Sequence, residues 1–192
     1  DSDQTVTNFI AGEHVLITNC IIADVFEIGD HTGLDDDQIN HSGLSDTYPE
    51  DSRVLHFSGN SYWVADTGRQ GAQGGDVFAL MRNGNEMVIG VERLQVLYGV
   101  RTGADGEGNL KYIPADDLDP TDWNNVDAIR VGVLISDDQA VMDTSDSKQY
   151  DLPGLTVSPA GTTGAAATYP DDRRLRSSFN MTIKIRNLIQ QG

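Results

Sequence analysis

Asp76-Val77-Phe78-Ala79-Leu80-Met81-Arg82, then Asn83-Gly84, then Glu86-Met87-Val88-Ile89-Gly90 is the stretch that decides the fold. Two apolar runs flank an Asn-Gly pair. That pair supplies the positive φ angles of a two-residue hairpin turn, whose twist matches the strands on either side. The segment therefore predicts an antiparallel hairpin. Val91-Glu92-Arg93-Leu94-Gln95-Val96-Leu97-Tyr98 continues with alternation, so the sheet extends beyond the hairpin.

Working outward, the same grammar recurs. His14-Val15-Leu16-Ile17-Thr18 and Ala23-Asp24-Val25-Phe26-Glu27-Ile28 read as strands. Val54-Leu55-His56-Phe57 and Tyr62-Trp63-Val64-Ala65 are spaced for a second hairpin across Ser58-Gly59-Asn60. Ala128 to Ile135 and Phe179 to Arg186 are further strands, and Pro120-Thr121-Asp122-Trp123 suits one short helical turn. Residues 29–52 collect Gly, Asp, His, Ser and Pro, and residues 137–170 are polar and Gly/Ala/Thr-rich; both read as long loops. No long amphipathic helix is visible. The expectation is a single, mainly β domain over residues 1–192, built from antiparallel sheets. An apolar sheet face must be covered, either by a second sheet or by a helix.

Composition narrows the function classes. Apolar residues make up 38% and charged residues 22%, which is a folded chain and not a disordered one. Thirteen basic against thirty acidic residues give a net charge of −17, which repels nucleic acid and anionic membrane surfaces. Residues 171–192 reverse that sign. Arg173, Arg174, Arg176, Lys184 and Arg186 face only Asp171 and Asp172, a net of +3, leaving the preceding 170 residues at −20. Such a basic segment can pair internally or with an acidic neighbour, so these five are the candidate interface residues.

Catalytic constellations are weak. The four histidines lack metal-type spacing, and no nucleophile elbow surrounds Ser58 or Ser61. A hydrolase would have to use His56 with Asp66. No cofactor motif occurs. One loop carries a Ca²⁺ candidate, because Asp105, Glu107 and Asn109 alternate as oxygen ligands do. Arg101 and Gly103, at the two preceding alternate positions, oppose it. The lone Cys20 is either a buried small hydrophobe or half of a disulfide whose partner lies outside this sequence.

Four stretches in order resemble the PilW family of type IV pilus minor pilins. They are Glu13 to Cys20 with Ala23-Asp24-Val25-Phe26; Val91 to Val100, leading through an Asp/Gly-rich loop to Tyr112-Ile113-Pro114-Ala115; Trp123 to Val131; and Asp172-Arg173-Arg174-Leu175-Arg176 through Ile183 to Asn187. The resemblance implies a non-enzymatic structural subunit with a pilin-like antiparallel fold. It would take part with other minor pilins, and with a tip adhesin, in initiating pilus assembly and forming the tip complex. It implies a bacterial envelope location, with the inner membrane and periplasm before assembly and the extracellular pilus after. Membrane contact would run only through an N-terminal helix absent from this sequence, which then reads as the C-terminal part of an ectodomain. Cys20 would pair with an upstream cysteine. Relatives tend to carry aspartates where this chain has Arg101 and Gly103, so any family Ca²⁺ site is altered here. The competing class is an extracellular β-sandwich that binds ligands or adheres through Tyr62, Trp63 and Trp123.

Overall fold

The computed structural model describes residues 9–30, 39–41, 43–71, 74–102 and 108–185. The chain divides into two compact units, Asp1–Asn60 and Ser61–Gly192. The mainly β expectation holds: the described residues form sheets that are antiparallel except for one strand pair, and no helix longer than four residues.

In the first unit, β1 (His14–Thr18), β2 (Ala23–Glu27) and β3 (Arg53–His56) form an antiparallel sheet in the order β2-β1-β3. Val15, Phe26 and Ile28 are its buried core, with Ile17, Ile39 and Val54 against them. The turn into β2 is set by side chains. Asn19 Oδ1 accepts from the amides of Ile21 and Ile22, and Thr18 Oγ1 accepts from that of Cys20. Cys20 sits exposed at this turn with φ of 69°.

The second unit begins with β4 (Tyr62–Gln70), β5 (Asp76–Arg82) and β6 (Asn85–Ile89), a sheet in that order. Asn83 and Gly84 take φ of 48° and 83°, so the predicted hairpin closes as its turn chemistry requires. The other predicted hairpin does not form: β3 pairs with β1, and β4 with β5.

Next come β7 (Val91–Arg101), β8 (Leu110–Ile113) and β9 (Val126–Ser136), with two 3-10 turns, Ala115–Asp117 and Asp122–Asn125, between β8 and β9. The second turn lies where Pro120 to Trp123 predicted one. The sequence then runs through β10 (Tyr150–Leu152), β11 (Leu155–Pro159) and β12 (Ala167–Tyr169) to β13 (Arg176–Lys184). A four-stranded sheet is ordered β13-β9-β7-β8, and β10-β11-β12 form a small sheet of their own.

That small sheet corrects the expectation that residues 137–170 are one long loop. Tyr150, Leu152, Val157, Ala167 and Tyr169 are buried with Leu134 of β9 in a common core. Its strands are three to five residues long, and β11 and β12 pair in parallel, so neither length nor local alternation announces them. Close approach is made possible by Gly132 of β9, where a Cβ would lie 2.2 Å from Pro153 Cδ. The described part of residues 29–52 contains no strand.

Candidate docking surface

The four-stranded sheet has two faces of different chemistry. The registers align Phe179–Val133–Leu94, Met181–Val131–Val96 and Ile183–Ile129–Tyr98–Ile113 in three cross-strand rows. Cross-strand partners share a face, so these ten side chains form one apolar surface over four strands. Among the described residues nothing buries it. Phe179 and Met181 are each 59% exposed, Ile183 is 47% exposed, and the remaining seven are half-buried. At one end Trp123 packs edge-on to Tyr98, with ring centroids 4.9 Å apart. A contiguous apolar surface of this kind marks an interaction site.

The opposite face carries Arg176, Ser178, Asn180, Thr182 and Lys184 on β13, with Leu134, Gly132 and Arg130 beside them. Around Leu134 it is covered by the small sheet. The predicted alternatives for covering the sheet thus divide: a second sheet covers one face, and the other is open among the described residues.

The basic candidates part company. Arg174 and Arg176 are buried, at 5% and 3% exposure, while Leu175 between them is 48% exposed. The charged residues point in and the apolar one out. Arg176 donates from Nε and Nη2 to both Glu92 oxygens, at 2.8 and 3.0 Å, and from Nη1 and Nη2 to Asp172, at 2.7 and 3.0 Å. Asp146, also buried, lies 3.7 Å away, and the Tyr169 ring lies beneath the guanidinium. Arg174 donates to the carbonyls of Gly75 and Asp76. Of the two alternatives open to these residues, internal pairing is the one seen, and the paired carboxylates make burial of the charge tolerable. Arg173 is half-buried and Lys184 exposed; Arg186 lies outside the described residues.

This cluster fixes a pH dependence. Burial pushes the Asp172 carboxyl up, but the hydrogen bonds from Arg176 and from the Arg174 amide outweigh it and hold the group below the usual carboxylate range. Burial, and then the Asp146 carboxylate, push the Tyr169 phenol up to about 12. The Tyr150 phenol is pushed up by burial and by its hydrogen bond to Asp146. A depressed carboxyl stabilises the fold above its unfolded value, near 3.8, and loses that contribution as pH falls through the folded value. A raised phenol contributes fully below about pH 10 and loses its contribution as pH rises toward 12. Thermal unfolding followed from acid to alkali is expected to show both losses. Tyr169→Phe should reduce the alkaline one, Tyr150 supplying the remainder, and leave the acidic one in place.

Asp105 and Glu107 lie outside the described residues. Asn109 is exposed, with its backbone carbonyl accepting from Thr102. Arg101 instead forms an ion pair with the buried Asp127. Among the described residues no three His, Cys, Asp or Glu side chains group as a metal site. His56 Nδ1 meets Glu13 Oε1 at 2.7 Å, whereas Asp66 Oδ1 accepts from the Gly68 amide. Tyr62 and Trp63 are successive on β4 and therefore point to opposite faces, while Trp123 engages Tyr98, so the three aromatics make no common platform.

A β scaffold with one sheet face packed internally and the other left apolar and open has the build of a packing module. The chain belongs to the PilW family, Type IV Pilus-assembly protein W, which matches residues 70–187. No curated protein and no solved structure matches it. Membership places the chain in type IV pilus assembly, in a family that acts by assembling with other pilus components at the cell envelope. Three of the four resembling stretches fall within the matched residues. The stretch around Cys20 precedes them.

Proposed function

We propose that this chain is a minor pilin, a non-enzymatic subunit that helps initiate pilus assembly and sits in the tip complex with other minor pilins. The observation that carries the reading is the open apolar face of the β13-β9-β7-β8 sheet. Ten apolar side chains left half-exposed or more disfavour an isolated soluble life, and a helix laid across three ordered rows would bury them. The family resemblance supplies such a helix, in the N-terminal part of a longer protein, which would also anchor the subunit in the inner membrane before assembly.

The test is Phe179→Glu combined with Met181→Glu, made in the full-length protein in a piliated host. Both positions are exposed, so the isolated residues 1–192 should keep their unfolding midpoint, with changes within about 0.5 kcal/mol. Surface pili should fall to background, because two charges on the apolar face oppose its burial. Normal piliation by the doubly substituted protein sinks the proposal.

A further inference from the structure

One end of the open apolar face is acidic. Its last row, Ile183–Ile129–Tyr98–Ile113, is bordered by the segment that links β8 to β9. Ile113 leads through Pro114 into the first 3-10 turn, and both turns touch β7. The segment carries Asp116 and Asp117 on the first turn, Asp119 between the turns, and Asp122 on the second. Asp116, Asp117 and Asp119 are exposed and Asp122 is half-buried.

Among the described residues no cation pairs with any of these four. Asp122 Oδ2 accepts from the Asp119 amide at 3.1 Å, which ties its carboxylate to the neighbouring backbone. Arg101, close by on β7, is taken up by Asp127. Lys111 stands two residues before Ile113 on β8, opposite Val100, and so on the open side of the sheet. Four carboxylates against that one ammonium leave this end of the face at a net of −3. Like charges held together repel, and a cation brought by a partner relieves them.

Trp123 supplies a second, independent feature. It follows Asp122 directly, its ring packs edge-on to Tyr98, and 47% of it remains exposed. An indole is the best of the aromatic rings at holding an ammonium or guanidinium group. A long basic side chain can lay its apolar stem on such a ring and extend its charge to the carboxylates beyond. The apolar rows, the indole and the acids therefore follow one another in the order that a basic-flanked apolar helix would meet them.

We propose that the helix covering this face is basic where it meets the β8–β9 connection, with an arginine or lysine seated on Trp123 against Asp119 and Asp122. The contact rests on the reading that a helix covers the face, and it adds the chemistry by which the face selects that helix.

The experiment uses residues 1–192 and three fluorescent peptides of about eighteen residues, long enough to hold a helix. Each has leucines spaced i, i+3, i+4, i+7 on an alanine and glutamine background. They differ only in the residue pairs at both ends, which are arginine, glutamine or glutamate. Anisotropy in about 0.15 M salt, which damps distant charge effects, should rank them in that order, the first at least about tenfold tighter than the last. Asp116→Asn, Asp117→Asn, Asp119→Asn and Asp122→Asn together should bring the arginine and glutamate peptides within about threefold of each other and leave the glutamine peptide unchanged. Trp123→Leu should weaken the arginine peptide by about threefold more than the glutamine peptide. All variants are compared at unchanged circular dichroism. Failure of all three peptides to bind, or binding that survives Phe179→Glu with Met181→Glu, overturns the helix-covered face and the proposal with it. Equal affinity for the arginine and glutamate peptides overturns the proposal alone. So does an arginine preference that survives the four asparagines, which would assign it to the chain's overall charge of −17 and not to this rim.

Discussion

Arg176→Ala is expected to destabilise the Ser61–Gly192 unit by about 3–5 kcal/mol, the range found when one member of a buried ion cluster is removed. The Arg176 side chain is wholly buried, and it is the cation nearest three carboxylates: Glu92 at 6% side-chain exposure, Asp172 at 17% and Asp146 at zero. Truncation removes four hydrogen bonds and leaves those carboxylates facing one another without a counter-charge, Arg174 reaching only Asp172, at 3.5 Å. Each contributes the desolvation cost of an unpaired buried ion, which exceeds the modest net worth of an intact hydrogen bond. The consequence reaches beyond one contact. Asp172 and Asp146 lie in the segment that returns the chain from β9 to β13, and Tyr150 and Tyr169 of the small sheet hang on Asp146. Urea unfolding should show the loss as a lowered midpoint. Lys184→Ala, an exposed cation on the same strand, should change stability by less than about 0.5 kcal/mol. Equal effects from the two substitutions would show that the cluster contributes nothing beyond charge.

This cluster also marks where sequence reasoning stops. Strands β1, β2, β5 to β7, β9 and β13 were readable because period-two alternation and the Asn83-Gly84 turn are local signals. Residues 150–169 were not, since each strand there is only a few residues long and its burial depends on Leu134 and on Arg176, distant in sequence. For Arg174 and Arg176 the sequence left internal and external pairing open. Asp172 is a near neighbour of Arg176 in sequence, but Glu92 and Asp146 are not, and only the fold brings them to it. The docking face lies between these cases. Its alternating residues are visible in Ile129 to Ile135 and Phe179 to Ile183, but which of the sheet's two faces stays open is decided by where β10 to β12 settle.

Gly90→Ala is expected to be nearly as damaging as loss of Arg176, and for a reason confined to the backbone. Gly90 sits between β6 and β7 with φ of 82°, where an L residue is disfavoured by about 1–2 kcal/mol. A Cβ there would also lie 2.3 Å from the Ser136 carbonyl oxygen. That oxygen cannot swing aside as a flexible side chain could. Gly90 N donates to Phe78 O at 2.7 Å, and the Ser136 amide donates to Gly90 O at 2.8 Å, so the corner is pinned to β5 on one side and β9 on the other. Relief requires moving strands, which adds about 1–3 kcal/mol of overpacking strain. Gly84→Ala separates the two costs. Its φ is 83° but nothing lies within 4 Å of a Cβ, so only the conformational term applies. Gly90→Ala should therefore exceed Gly84→Ala by that overpacking strain in thermal or urea unfolding. Equal losses would mean that β9 yields freely at Ser136. The comparison also bears on docking. Leu94, Val96 and Tyr98, the β7 contribution to the open face, follow directly from this corner. If β9 shifts to admit the methyl group, the registers that align Phe179–Val133–Leu94 shift with it, and the face loses its rows before the unit loses its fold.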